Sequence, residues 1–208
     1  MKHLFKPVIP FLFLIFISPF ASKAQCIEQG KSIVSLGYGF PNLGKSIFSS
    51  YSSLAGYKLR GLGPIHLKYE YMISDQIGIG ASINFVSFGI SYNDVFPSVD
   101  NQGNYIEVPA VYKISRKSYS ALFRLNYHFY TDDNLDLYGG IGAGYRGGSF
   151  TYTSTPKDPN WNYSSKTLIP VGAELTLGLR YFFTDNIGAY TEIGAAKSLI
   201  QFGVCAKF

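Results

Sequence analysis

The chain has 208 residues, a length that suits one domain. Aromatics make up 17% of it and glycines number 22, while charged residues reach only 15%, below the ~25% of soluble domains, so much of its surface is not built to face water. The formal charge of +5 includes Lys2, Lys6 and Lys23 of a leader segment; the other 15 basic and 13 acidic residues leave +2, which excludes a nucleic-acid partner argued from charge.

Residues 1–24 combine a basic start, an apolar centre over residues 8–17 and small residues at Ser22 and Ala24. They read as a secretory signal peptide cleaved before Gln25, leaving 25–208 as the mature domain. The apolar centre is shorter than the ~20 residues of a spanning helix. Gln25 before Cys26 argues against a lipid-anchored cysteine. Past residue 25 no apolar run reaches helical span length, so a membrane-embedded mature chain is expected to cross as strands.

Residues 31–40 open the strand series, with Val34, Leu36, Tyr38 and Phe40 alternating against Ser35, Gly37 and Gly39. Next, Ile65, Leu67, Tyr69, Tyr71 and Ile73 alternate against His66, Lys68, Glu70 and Met72. A turn at Ser74-Asp75-Gln76 leads into Ile77, Ile79, Ala81, Ile83 and Phe85, set against Gly78, Gly80, Ser82 and Asn84. This is a hairpin signature. Residues 93–116 read as a long polar loop, in which residues 108–114 could prolong a strand beyond a membrane. The unit recurs from Tyr119 through a turn at Thr131-Asp132-Asp133-Asn134 to Tyr145, with Phe123, Leu125, Tyr127 and Phe129 on one face and Arg124, Asn126 and His128 on the other. A third copy runs from Val171 through Thr184-Asp185-Asn186 to Ala195. Residues 150–166 read as another loop and 196–199 as a very short connection. Repetition at hairpin scale is what an up-and-down barrel needs.

Two nucleotide-binding patterns occur along the way. Gly39 to Ser46 fits G-x-x-x-x-G-K-[ST], with Lys45 and Ser46 in the phosphate-binding places. The Ser-rich, weakly periodic stretch that follows supplies no phosphate-binding helix, so the segment reads as a polar surface loop. Gly142-Ala-Gly144-Tyr-Arg-Gly147 fits G-x-G-x-x-G, which needs a helix next; residues 149–155 are instead β-branched, aromatic and polar. Gly140, Gly142 and Gly144 are expected on an inward strand face, making room for bulky neighbours.

The last stretch, Ile200 to Phe208, alternates Ile200, Phe202, Val204, Ala206 and Phe208 against Gln201, Gly203, Cys205 and Lys207. A closing strand that stops on Phe resembles the assembly signal of bacterial outer-membrane β-barrels. The chain resembles the small-barrel family known as outer membrane protein β-barrel domain or porin family protein, of OmpA/OmpX type. The fold expected is an all-β, eight-stranded antiparallel up-and-down transmembrane barrel: the first strand, three hairpins and the closing strand. A secreted lipocalin-like barrel would put apolar residues inside. Here the faces opposite the apolar ones carry Lys68, Glu70, Arg124, Asn126, Glu174, Arg180 and Glu192, which suits lipid outside. Tight turns then face the periplasm of a Gram-negative envelope and long loops face out. Tyr69, Tyr71, Tyr127, Phe129, Tyr181, Phe183 and Phe208 form the inner aromatic girdle.

This architecture implies the partners: outer-membrane lipid, the barrel-assembly machinery through Phe202, Val204 and Phe208, and an extracellular ligand for aromatic loops carrying Tyr105, Tyr152, Trp161 and Tyr163. Counting from the turns sets Glu70, Arg124, Arg180 and Glu192 at similar depth, where opposite charges are expected to meet and plug the lumen. His128 is expected to pair with Asp136 structurally. Cys26 and Cys205 fall at the same end of the seam between first and last strands and are candidates for a disulfide. No G-x-S-x-G and no metal-ligand spacing occurs, so neither enzyme activity nor a cofactor is expected. The role expected is that of a non-enzymatic surface scaffold or binding protein, with passive, porin-like transport of small or apolar molecules as the alternative and a lipid-modifying barrel enzyme ranked last.

Overall fold

The computed structural model describes residues 25–208 apart from 43–45, 47 and 159. The segment read as a signal peptide and part of the segment after Gly39 lie outside the described residues. Nine strands form: β1 (Ser32–Phe40), β2 (Lys58–Met72), β3 (Ile77–Val99), β4 (Tyr105–Thr131), β5 (Leu135–Thr155), β6 (Tyr163–Lys166), β7 (Val171–Phe182), β8 (Ile187–Ala195) and β9 (Ile200–Lys207). All pairings are antiparallel. β1 pairs with both β2 and β9, and β5 with both β4 and β7, so eight strands close a ring; β6 adds only to the upper part of β5. Closure removes every free edge from the ring, which is what allows a sheet to sit in hydrocarbon.

The alternation dictated by the sequence fixes the two faces. Leu36, Phe123, Leu175 and Phe202 point outward and are 53%, 62%, 62% and 52% exposed, while Lys68, Glu70, Arg124, Arg180 and Glu192 point inward and are buried. In water such a wall would expose a continuous apolar surface; in lipid it is the solvated one.

Three strands run far past a membrane. β3, β4 and β5 have 23, 27 and 21 residues, against the ~9–11 a crossing needs. The surplus raises a ribbon roughly 30 Å beyond the hydrocarbon at ~3.3 Å per residue and a tilt near 40°. Residues 108–114, where a prolonged strand was expected, lie in β4, and the rest of the polar loop expected at 93–116 is strand too: β3 and β4 stay paired up to Val99 opposite Tyr105, and only 100–104 turn. Likewise, the first residues of the expected 150–166 loop belong to β5 and the last to β6. The ribbon's lower part keeps an apolar inward face, with Phe88, Ile90, Ala110 and Tyr112 buried, but over residues 93–107 nothing is buried and the alternation that marks a membrane strand fades. Cross-strand pairs hold it instead: Tyr92 stands opposite Tyr112 with ring centroids 5.6 Å apart, and Trp161 meets Tyr112 edge-on at 5.1 Å. The G-x-G-x-x-G stretch lies wholly within β5.

Two irregularities adjust the ring. β2 shifts register between Leu62 and Ile65, where Gly63 takes a φ of 79° that a side chain would resist. β4 shifts between His128 and Tyr130, so that Phe129 is the extra residue, Tyr130 takes the outward place expected for Phe129, and Thr131 faces Asp136.

The segment before β1 crosses the end of the barrel that carries the tight turns. Cys26 N–H donates to Asp132 O at 2.9 Å, Gln29 N–H to Asp75 Oδ1 at 2.9 Å and Gly30 N–H to Met72 O at 2.9 Å. Pinned this way, Cys26 and Ile27 drop into the lumen and form an apolar stopper with Ile33, Met72, Phe182 and Cys205. The seam brings the two candidates for a disulfide, Cys26 and Cys205, into one cluster, where both are free, buried thiols. Burial pushes the Cys26 thiol up to about 12, leaving it protonated and a poor nucleophile for exchange.

Two predictions follow from this geometry. Phe208 holds the seam through a reciprocal pair, Ser32 N–H to Phe208 O at 2.8 Å and Phe208 N–H to Ser32 O at 3.0 Å, so deleting it is expected to lower the fraction of folded, heat-modifiable barrel on an unboiled denaturing gel. In the outer ribbon, burial and the hydrogen bond to Asp158 push the Tyr112 phenol up to about 12. A raised folded pKa means stability that is whole below the unfolded value of ~10 and is lost as pH rises through 12. NMR titration of ring-labelled tyrosine should show Tyr112 ionising late, and Asp158→Asn should bring it earlier.

Candidate functional site in the barrel lumen

Inward positions recur every second residue along each strand, so neighbouring strands stack their polar groups in tiers. Directly above the stopper, Arg180 on β7 stands opposite Asp136 on β5. Its guanidinium donates to Asp136 Oδ2 at 3.2 Å and, through the other Nη, to Glu70 Oε2 on β2. His128 lies between the same two acids, Nδ1 2.7 Å from Asp136 Oδ1 and Nε2 2.9 Å from Glu70 Oε1. Both ring nitrogens face carboxylate oxygens, which only the doubly protonated imidazolium satisfies. The β4 bulge seats Asp136 within reach of His128 although the two are not opposite each other in register.

The next tier centres on Arg124 of β4, which donates to Glu174 Oε1 at 2.7 Å and to Glu192 Oε1 at 3.2 Å. Glu192 also accepts from Lys68 Nζ at 2.5 Å and from Tyr138 OH at 2.7 Å, and Lys68 donates to Gln201 at 2.7 Å. Asn126 joins the tiers, taking a hydrogen bond from Arg124 at 3.2 Å and giving one to Glu70 at 2.7 Å. Tyr138 joins them again, its ring 4.1 Å under the Arg180 guanidinium. With His128 charged, Lys68, Arg124, Arg180 and His128 balance Glu70, Asp136, Glu174 and Glu192, all buried.

The four residues expected to meet do meet, but in two tiers rather than one square: Arg180 with Glu70 and Arg124 with Glu192. Sequence reasoning put Lys68 and Glu174 on the inner face without placing them in the cluster, and it left Tyr138 and Gln201 out. Inward parity, extended to every polar residue rather than to the deepest charges alone, would have found them. The inward glycines are where these side chains lie. A Cβ on Gly140 would sit 2.5 Å from both Arg124 Nη2 and Asn126 Oδ1, and one on Gly142 2.7 Å from Glu174 Cγ.

Above the ionic tiers, His66 Nδ1 is 2.6 Å from Asn84 Oδ1 and its Nε2 3.2 Å from Ser198 Oγ, while Asn84 donates to Ser120 Oγ at 3.2 Å. Among the described residues no cluster has the composition of a metal site. Phe202, Val204 and Phe208 all face outward on or beside β9.

A closed ring with an apolar wall and a polar interior is the arrangement of one protein class, and comparison agrees. The family model described as outer membrane protein beta-barrel domain matches residues 10–202. The chain belongs to that family. In barrels of this kind the tight turns face the periplasm and the long loops face outside. Similar solved structures include Ail, the attachment invasion locus protein of Yersinia pestis, solved with the heparin analogue sucrose octasulfate, at 15% identity and a TM-score of 0.43, covering 86% of this chain and 99% of that one. The N-terminal β-barrel domain of Pseudomonas aeruginosa OprF is 17% identical with a TM-score of 0.45, over 88% of this chain and 100% of that one. OprG of the same organism is 12% identical with a TM-score of 0.38, over 89% and 99%. No curated protein matches the chain.

Arg180→Ala removes one of the two cations, the other being His128, that Glu70 and Asp136 share. Breaking a buried pair costs ~3–5 kcal/mol, so urea unfolding in lipid vesicles followed by intrinsic fluorescence should show a loss of that order. Arg180→Lys, which keeps the charge but not the two-armed geometry, should lose less.

Proposed function

We propose that this outer-membrane barrel is a non-enzymatic envelope protein with a closed lumen, acting as a scaffold that presents its extended hairpins for binding outside the cell. The observation that carries this reading is the continuous filling of the ring. The stopper of Ile27, Met72 and Phe182, the tier of Glu70, His128, Asp136 and Arg180, and the tier of Lys68, Arg124, Glu174 and Glu192 follow one another along the axis, all buried. An eight-stranded ring has an interior about the size of its own side chains. Opening a path would mean separating paired charges in a region of low dielectric.

The most enzyme-like geometry is the order Ser198, His66, Asn84, which mimics a nucleophile, its base and an orienting group. These side chains are 1%, 0% and 1% exposed, and Ser198 Oγ fills the place a Cβ on Gly39 would take. No substrate carbonyl could approach, which supports a packing role. Outside the membrane, the aromatics brace one another: Tyr152 stacks on Tyr163 at 4.4 Å and meets Trp161 edge-on at 5.7 Å. A ribbon stiffened in this way supports presentation at a fixed distance from the membrane, with Tyr105 at its tip 88% exposed. Outward Phe202, Val204 and Phe208 remain the segment we assign to the assembly machinery.

In a planar lipid bilayer the purified barrel is expected to give no steady single-channel current. Steady conduction by the wild type, with Arg124→Ala changing ion selectivity and leaving stability unaltered, would overturn the closed-lumen reading in favour of a porin-like one.

A further inference from the structure

In the two ionic tiers every buried cation meets a carboxylate. One step further out that pattern stops. Arg116 on β4 and Arg146 on β5 both occupy inward positions, opposite Phe150 and Ser120 respectively, and Ser118 stands between these levels on β4, opposite Gly148. Lys197 reaches across the mouth from the short connection between β8 and β9 and donates to Ser118 Oγ at 2.8 Å. Arg116 lies with its guanidinium 4.7 Å over the Phe150 ring. Three cations of three different segments thus converge around Ser118.

Among the described residues none of the three forms an ion pair. The inward acids along the axis are engaged elsewhere: Asp158, further out, accepts from Tyr112 at 2.9 Å, and Glu174, deeper, accepts from Arg124 at 2.7 Å and Ser82 at 3.1 Å. The cations therefore feel one another. Burial, then the positive charges of Arg146 and Arg116, push the Lys197 amine down to about 8, and burial together with Arg146 lowers Arg116. Like charges gathered in a partly buried site are unfavourable unless an anion joins them. The surrounding wall positions Ser118, Ser120, Gly148 and Gly172 are small.

We infer that this cationic mouth of the lumen is a binding site for a soluble oxyanion, the phosphate or sulfate group of a small solute, held by Lys197, Arg116 and Arg146. Several donors converging from separate strands match a tetrahedral group with three or four acceptor oxygens better than a single carboxylate. The site opens to the outside medium, and the closed wall separates it from the headgroups of surrounding lipid, so the ligand is taken from solution. Binding here does not require passage, and it is independent of whether the lumen conducts.

The test is calorimetric titration of the folded barrel, in zwitterionic detergent at low salt, with inorganic phosphate, pyrophosphate and sulfate. Saturable binding of at least one anion is expected. Loss of one charged donor should weaken it about tenfold or more in Lys197→Gln and in Arg146→Gln, the latter an exposed position whose replacement leaves the fold intact. Lys113→Gln serves as the control, because Lys113 lies with Lys58 and Arg60 along a separate groove; it should bind as wild type does. Folding of each variant is read from its shift on an unboiled gel. The inference is overturned if no anion binds saturably, if Lys197→Gln and Arg146→Gln bind like wild type, or if Lys113→Gln weakens binding as much as they do.

Discussion

The pairing of charges inside a closed ring is the constraint on which the rest of this structure depends. A carboxylate or guanidinium withdrawn from water is tolerable only when matched and hydrogen-bonded, and here Arg180 and Arg124 each bridge two acids contributed by other strands. Because the partners come from β2, β5, β7 and β8, the network can form only in one register of the whole ring. A slip of one residue in any strand would turn its charge into lipid. The ionic tiers thus act on specificity of the fold as well as on the filling of its interior.

The outer wall sets the complementary requirement. Since β1 must return to β9 for the last backbone groups to be paired, the reciprocal bonds between Ser32 and Phe208 finish a ring that lipid could not tolerate open. The segment carrying Cys26 and Ile27 uses the remaining space at the end that carries the tight turns. Its backbone is tied to two turns, and that tether, rather than a disulfide, is what holds it there.

Beyond the membrane the same strands obey different rules. The ribbon of β3, β4 and β5 buries Phe88, Ile90 and Tyr112 on one face of its lower part and has water on both faces toward its tip, and stacked tyrosines and Trp161 brace it. At the boundary between these regimes the inward face changes from neutral to positive, at Arg116, Arg146 and Lys197. The deeper charges are matched one against another, and these three are not.

Strand alternation, turn residues and parity were enough to read the eight membrane strands, the inverted faces and the four charges Glu70, Arg124, Arg180 and Glu192 from the amino-acid order alone, because side-chain direction in a strand follows from counting by two. Lipid outside makes that count unusually legible: Phe123 and Arg124 cannot exchange faces. What counting could not supply was distance across the ring. Which acid each arginine reaches, the bulge at Phe129 that brings His128 to Asp136, and the approach of Lys197 to Ser118 depend on how far one strand is staggered against strands it does not follow in sequence. The outer ribbon was read only in part, at residues 108–114, because toward the tip of the hairpin nothing over residues 93–107 is buried and there is no alternation to read. Cys26 was placed in the correct cluster by the seam, but only the tertiary structure, which fixes where the segment before β1 is tied, decided that it fills space as a buried thiol.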